Sequence, residues 1–98
     1  MQISIHDEGS ARTITVSGRM DTVTAPQLEE AISTNADAVQ TLLLDLQGMT
    51  YTSSAGLRVL LRAQKRFGAR GGMKLLHVQP DVMDVLEMTG FDSILAIE

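Results

Sequence analysis

The stretch TLLLDLQGMTYTSSAGLRVLLRAQKRF, residues 41–67, changes its hydrophobic period once, and that change decides the architecture. Thr41 to Leu46 form a short, nearly continuous apolar run. Such a run predicts a strand buried on both faces, with helices on at least one side of its sheet. From Ser53 to Phe67 the spacing becomes helical. Leu57, Leu60, Leu61 and Phe67 fall on one face, while Arg58, Arg62, Lys65 and Arg66 recur at i, i+4, i+7 and i+8 on the opposite one. Gly68, Gly71 and Gly72 stop this helix.

Working outward, residues 2–6 alternate around Ile3 and Ile5, and residues 13–17 around Ile14 and Val16, so both read as half-buried strands. Asp7-Glu8-Gly9-Ser10 between them has turn composition and makes the pair a hairpin. After Gly18 comes a first helix: Thr24 precedes Gln27 at capping-box spacing, Pro26 lies in the first turn, and Leu28, Ala31 and Ile32 supply the apolar stripe. Beyond the central unit, residues 73–78 read as a strand. Pro80 opens a third helix with Asp81 in its first turn, Gly90 ends it, and Ile94–Ile97 form a last short strand. The order β-β-α-β-α-β-α-β predicts a single α/β domain over residues 1–98, with one mixed sheet of about five strands and helices packed as crossovers.

Composition narrows the function. The 98 residues carry a formal net charge of −4 and no cysteine, which excludes disulfides, thiolate zinc sites and redox CxxC chemistry. A chain of this length buries enough surface to fold without such staples. The longest uninterrupted apolar run, Ile94–Ile97, is far too short to span a bilayer, and the first residues show no apolar export signal. A cytoplasmic protein is expected. Charge is also segregated: residues 46–80 hold six bases and no acid, residues 81–98 five acids and no base. A basic stretch in an acidic protein suits an acidic partner or a nucleotide, and equally a solvated helix face.

A self-contained enzyme is not expected. His6 and His77 both fall inside predicted strands, as packed or surface residues, and no metal pair, nucleophile elbow or phosphate-binding glycine loop occurs. Neither a metal nor a cofactor is implied. The segment that does stand out is Asp45 to Leu57, where Thr52, Ser53 and Ser54 crowd the start of the best helix. One hydroxyl there is enough for a cap. A phosphate or other anion is electrostatically favoured at the same place, with Arg58 one turn beyond Ser54 to pair with it. Both readings stand on the residues alone.

Three segments together resemble a known family. Gly18-Arg-Met-Asp21 with Thr24, the block Leu44-Asp-Leu-Gln-Gly-Met-Thr-Tyr-Thr-Ser-Ser-Ala-Gly-Leu-Arg-Val-Leu-Leu61, and Met73 through Val85-Leu-Glu-Met-Thr-Gly-Phe91 are similar, in order and spacing, to the STAS-domain anti-anti-sigma factors. The resemblance covers nearly the whole chain and implies a binding protein that displaces a sigma factor from an anti-sigma factor serine kinase. The kinase then switches it off by phosphorylation, and a serine phosphatase restores it. The serine two residues before the motif glycine takes the phosphate. Counted back from Gly56 that is Ser54, with Ser53 the runner-up, because Ser53 stands where the family's typical form has aspartate.

Asp21, Thr52, Ser53, Gly56 and Arg58 are then the expected partner-binding residues, Asp21 as a contact, a positioning residue or a simple turn former. Many relatives carry a further helix after the last strand, which this sequence does not continue into. Two other readings stand beside the switch. STAS-like domains also serve as unswitched subunits of lipid or anion transport systems. Direct nucleotide or nucleic-acid binding through Arg58, Arg62, Lys65 and Arg66 is disfavoured by the net charge of −4 and by only three aromatic residues. No membrane association is expected, and with no coiled-coil heptad a monomer is the simplest expectation.

Overall fold

A computed structural model describes residues 1–98. Its elements follow the expected order: β1 (Gln2–Glu8), β2 (Ala11–Met20), α1 (Ala25–Ser33), β3 (Thr41–Thr52), α2 (Ser54–Gly68), β4 (Gly72–Leu76), α3 (Pro80–Thr89) and β5 (Ala96–Ile97). The sheet runs β1-β2-β3-β4-β5, antiparallel between β1 and β2 and parallel elsewhere. Each parallel connection therefore steps to the next strand in the same direction. Right-handed crossovers that all step one way place their helices on one face of the sheet.

That placement corrects the expectation that β3 is buried on both faces. Leu42, Leu44 and Leu46 are fully buried, but Thr41, Leu43 and Asp45 between them are only half-buried. Leu43 sits on the open face, where the half-buried Thr13 of β2 and the exposed Lys74 of β4 lie in register with it. A leucine there reads as core in a sequence and behaves as a half-buried surface residue in the fold. The core proper gathers Ile14, Val16, Leu28, Leu42, Leu44, Leu60, Phe67, Leu75 and Leu86 between sheet and helices.

Three further boundaries differ from expectation. β3 continues six residues past Leu46 instead of entering a loop, because β2 supplies partners as far as Met20↔Thr52. Two register shifts in the β2–β3 pairing, each with one extra residue on β3, and the absence of a side chain at Gly48 make this extension possible, since a Cβ there would lie 2.7 Å from Ser17 Cβ. β4 stops at Leu76; His77 adopts φ +55°, a left-handed conformation that ends a strand. Residues 91–93 form a short 3₁₀ turn, which trims the last strand to Ala96–Ile97.

One buried ion was not expected. Arg12, 3% exposed, donates from Nε and Nη2 to both carboxylate oxygens of Asp7 at 2.7 and 2.9 Å, and from Nη1 to the carbonyls of Ala31, at 3.2 Å, and Thr34. It thereby satisfies carbonyls that the last turn of α1 leaves free, and it ties that helix to the β1–β2 hairpin.

Candidate functional site at the start of the second helix

The extension of β3 delivers the three hydroxyls directly to the start of α2. Only Ser53 separates strand from helix, and its N–H donates to Met20 O at 2.8 Å. The end of β2 and the start of α2 are thus one unit. Ser53 has the extended backbone of an N-cap (φ −94°, ψ 177°), and its carbonyl accepts the first helical bond from Leu57 N–H at 3.1 Å.

None of the three hydroxyls caps the helix. Ser53 Oγ is enclosed and has no hydrogen-bond partner. Thr52 is buried and donates to Ser53 O at 3.2 Å. Ser54, the first residue of α2, is the exposed one. The first turn of α2 contains no acidic residue and no side-chain cap, so no protein charge compensates its dipole there. Arg58 is exposed one turn further along the same face and pairs with no carboxylate.

Gly56 explains the tight seating. A Cβ on Gly56 would lie 2.3 Å from Met20 Cγ and 2.4 Å from Thr52 Oγ1. Thr52 and Gly56 are both buried, so what they offer a partner is the position of the helix start and not their own atoms. Gly56→Ala is expected to cost about 1–3 kcal/mol, since overpacking outweighs the gain in helix propensity. Urea unfolding checks this, and an unchanged or raised midpoint would show that Met20 yields freely.

The β2–α1 turn flanks the same surface. Asp21 Oδ1 accepts from the N–H groups of Val23 and Thr24, both at 3.0 Å. Thr24 Oγ1 donates to Arg19 O at 2.7 Å and accepts from Asp21 N–H at 2.8 Å. Of the three roles expected for Asp21, the turn-forming one is what its bonds display. The expected capping box is not formed: Thr24 is the N-cap of α1, but its hydroxyl is already engaged by the turn and makes no cap bond.

The backbone N–H groups of Thr24 and then Val23 hold the Asp21 carboxyl below the usual carboxylate range. A lowered folded-state value means that Asp21 stabilises the fold above its unfolded value and loses that contribution as pH falls through the folded one. The gap in melting temperature between the wild type and Asp21→Asn should therefore be widest near neutrality and close in acid. A gap independent of pH would rule out the ionised form as the turn former.

Three exposed side chains around this surface were not singled out by sequence reasoning. Val23, 75% exposed, tops the turn. Arg19 lies over the Tyr51 ring at 4.2 Å from its centroid, on register-paired positions of β2 and β3. An apolar residue between Thr22 and Thr24 was the available signal for Val23; the Arg19–Tyr51 pair needs the register. The two histidines lie elsewhere, His6 exposed beside Glu8 at 3.8 Å and His77 beside Asp45 at 3.1 Å. No cluster of three metal-ligating side chains occurs, and no helix is long and apolar enough to cross a membrane.

The family model for the STAS domain matches residues 2–98. The chain belongs to the STAS domain family. BtrV of Bordetella bronchiseptica, provisionally assigned as an anti-sigma factor antagonist, is 35% identical to this STAS domain over 82% of its length and 71% of BtrV. The anti-sigma-F factor antagonist RsfB of Mycobacterium tuberculosis is 30% identical over 67% of the domain, which spans about half of that relative (55%). A crystal structure of an anti-sigma factor antagonist from Mycobacterium paratuberculosis superimposes with a TM-score of 0.86 at 29% identity, covering 98% of this chain and 83% of that one.

Proposed function

We propose that this STAS domain is an anti-sigma factor antagonist worked by a charge switch at Ser54. Unphosphorylated, it docks the start of α2 and the β2–α1 turn on a cytoplasmic anti-sigma factor serine kinase, which releases the sigma factor. Phosphate on Ser54 ends the complex, and a serine phosphatase restores it. The names of the relatives support the antagonist class. One observation carries the choice of residue: among the three clustered hydroxyls, Ser54 alone is exposed, while Ser53 Oγ is enclosed and Thr52 is buried.

The chemistry belongs to the partners. In transfer, Ser54 Oγ bonds to the γ-phosphorus of ATP held by the kinase, the bond to the ADP oxygen breaks, and the hydroxyl proton leaves to a base on the kinase. This chain contributes an accessible nucleophile on a rigid helix start, where a phosphate meets free N–H groups and Arg58.

Phosphosite mapping by mass spectrometry, on the chain incubated with ATP and the kinase of its own cells, tests the assignment. Phosphate on Ser54 that disappears in Ser54→Ala is the expected result. Phosphate on Ser53 alone would require the enclosed hydroxyl to swing out and would overturn the choice of residue. A stable complex with an active kinase and no phosphate anywhere would favour an unswitched STAS subunit.

A further inference from the structure

The basic residues of α2 form a surface of which the Ser54 switch uses only Arg58. Successive residues turn by about 100°, so Ser54, Lys65, Arg58, Arg62 and Arg66 fall, in that angular order, within about a third of the helix circumference. All five are exposed. Elsewhere in the basic stretch the cations are matched: Lys74 pairs with Glu98 at 3.1 Å, and Arg70 donates to the carbonyls of Ala36 and Val39 at 2.6 and 2.9 Å. On α2 only Arg62 has a carboxylate partner, Glu29 at 2.9 Å. Arg58, Lys65 and Arg66 have none. Lys65 and Arg66 also lie about 16–18 Å along the axis from Ser54, too far to serve a phosphate there.

Beside this strip runs a groove between α1 and α2. A hollow of about 200 Å³ is lined by Ile32, Val59 and Ala63, with Glu29, Arg62 and Arg66 on its rim. Arg66 also edges a second hollow of about 380 Å³ next to Ala36 and Asp37. Free cations above an apolar floor match a segment that carries both carboxylates and aliphatic side chains. We propose that this face of α2 and the adjoining groove form a docking strip for an acidic, partly apolar segment of a partner protein. The strip shares Arg58 with the phosphorylation reading but rests on Lys65, Arg66 and the groove, and does not depend on it.

Charge favours protein over nucleic acid as the occupant. Glu29 and Asp37 border the strip, and the chain as a whole carries −4. A peptide can place its few carboxylates on the cations and avoid these acids, whereas a continuous phosphate backbone cannot. Nor does the strip offer an aromatic side chain on which bases could stack.

The test uses the full chain, isotope-labelled, titrated at low salt with a synthetic peptide of glutamates interleaved with leucines. Amide shifts are expected along α2 at Arg58, Lys65 and Arg66 and in the groove at Ile32 and Val59. Affinity should fall roughly tenfold or more in Arg58→Glu/Arg66→Glu, exposed changes whose fold the same spectra verify, and should fall again as salt rises. A peptide of glutamate and serine, lacking leucine, should bind more weakly because it leaves the groove empty. Shifts absent, or centred away from α2, would overturn the proposal. So would a single-stranded oligonucleotide that displaces the peptide, or an affinity unmoved by the charge reversal.

Discussion

Under the proposed switch, phosphate on Ser54 lowers the affinity of this STAS domain for the partner kinase by an expected hundredfold or more, roughly 3 kcal/mol, while its melting temperature stays constant or rises. The two halves of this expectation come from different surroundings of the same group. In the free chain, the phosphate adds about −1.5 to −2 charge at a helix start with no acid in its first turn and with Arg58 one turn away. That is a favourable site, so the fold should not suffer.

In the proposed complex, the charge would enter an interface shaped around a neutral hydroxyl near the half-buried Asp21. A desolvated charge without a partner costs several kcal/mol in order of magnitude. Calorimetric titration of the kinase with unmodified and phosphorylated chain, alongside thermal melts of both, measures the two effects. Ser54→Ala should bind like the unmodified chain and remain bound in the presence of ATP. Equal affinities would sink the switch. A collapse in melting temperature would place the effect in unfolding and not at the interface.

Arg12→Ala should be among the most damaging changes to stability at a charged residue, at about 3 kcal/mol, or roughly 15 °C in a domain of this size. Arg12 is 3% exposed, and its guanidinium serves the Asp7 carboxylate together with the Ala31 and Thr34 carbonyls. Truncation leaves a void beneath the hairpin and strips the end of α1 of its donors. Arg12→Lys should recover only part of the loss, since an ammonium cannot reproduce the planar fork.

An acid limb accompanies this prediction. The hydrogen bond from Arg12 holds the Asp7 carboxyl below its ordinary range. Its stabilisation is complete above the unfolded value and vanishes as pH falls through the folded one, so Arg12→Ala should flatten the acid side of the stability profile. Chemical denaturation across pH tests both statements. A loss below about 1 kcal/mol would mean that water replaces the guanidinium at little cost.

Where local chemistry and fold agreed, the cause was always short-range. α3 begins at Pro80 and stops at Gly90, whose φ of +78° suits glycine, and the stripe of Leu57, Leu60 and Phe67 faces the core as its spacing requires. Where they disagreed, a distant partner intervened. Residues 47–52 open on Gln-Gly and lack a regular apolar alternation, so they do not read as strand, yet β2 pairs with residues 48–52. Thr24 and Gln27 spell a capping box, yet Asp21 and Arg19 claim the hydroxyl. Arg12 lies outside the expected strand of residues 13–17, and only the packing of α1 over it shows that it is buried.

The sequence by itself determined the order of elements and the segment that carries the site, because the hydrophobic period, proline, glycine and the hydroxyl cluster act within a few residues of their own position. The resemblance to the STAS family then pointed to Ser54 through its spacing from Gly56. Which hydroxyl is exposed was decided only by the tertiary structure. Thr52 is sealed beneath Gly56 and against the end of β2, where Met20 pairs with it in register; Ser53 N–H is held by Met20 O; Ser54 is left as the first residue facing solvent. Burial is set by what packs from elsewhere in the chain, and three adjacent hydroxyls carry no mark of that in their own sequence.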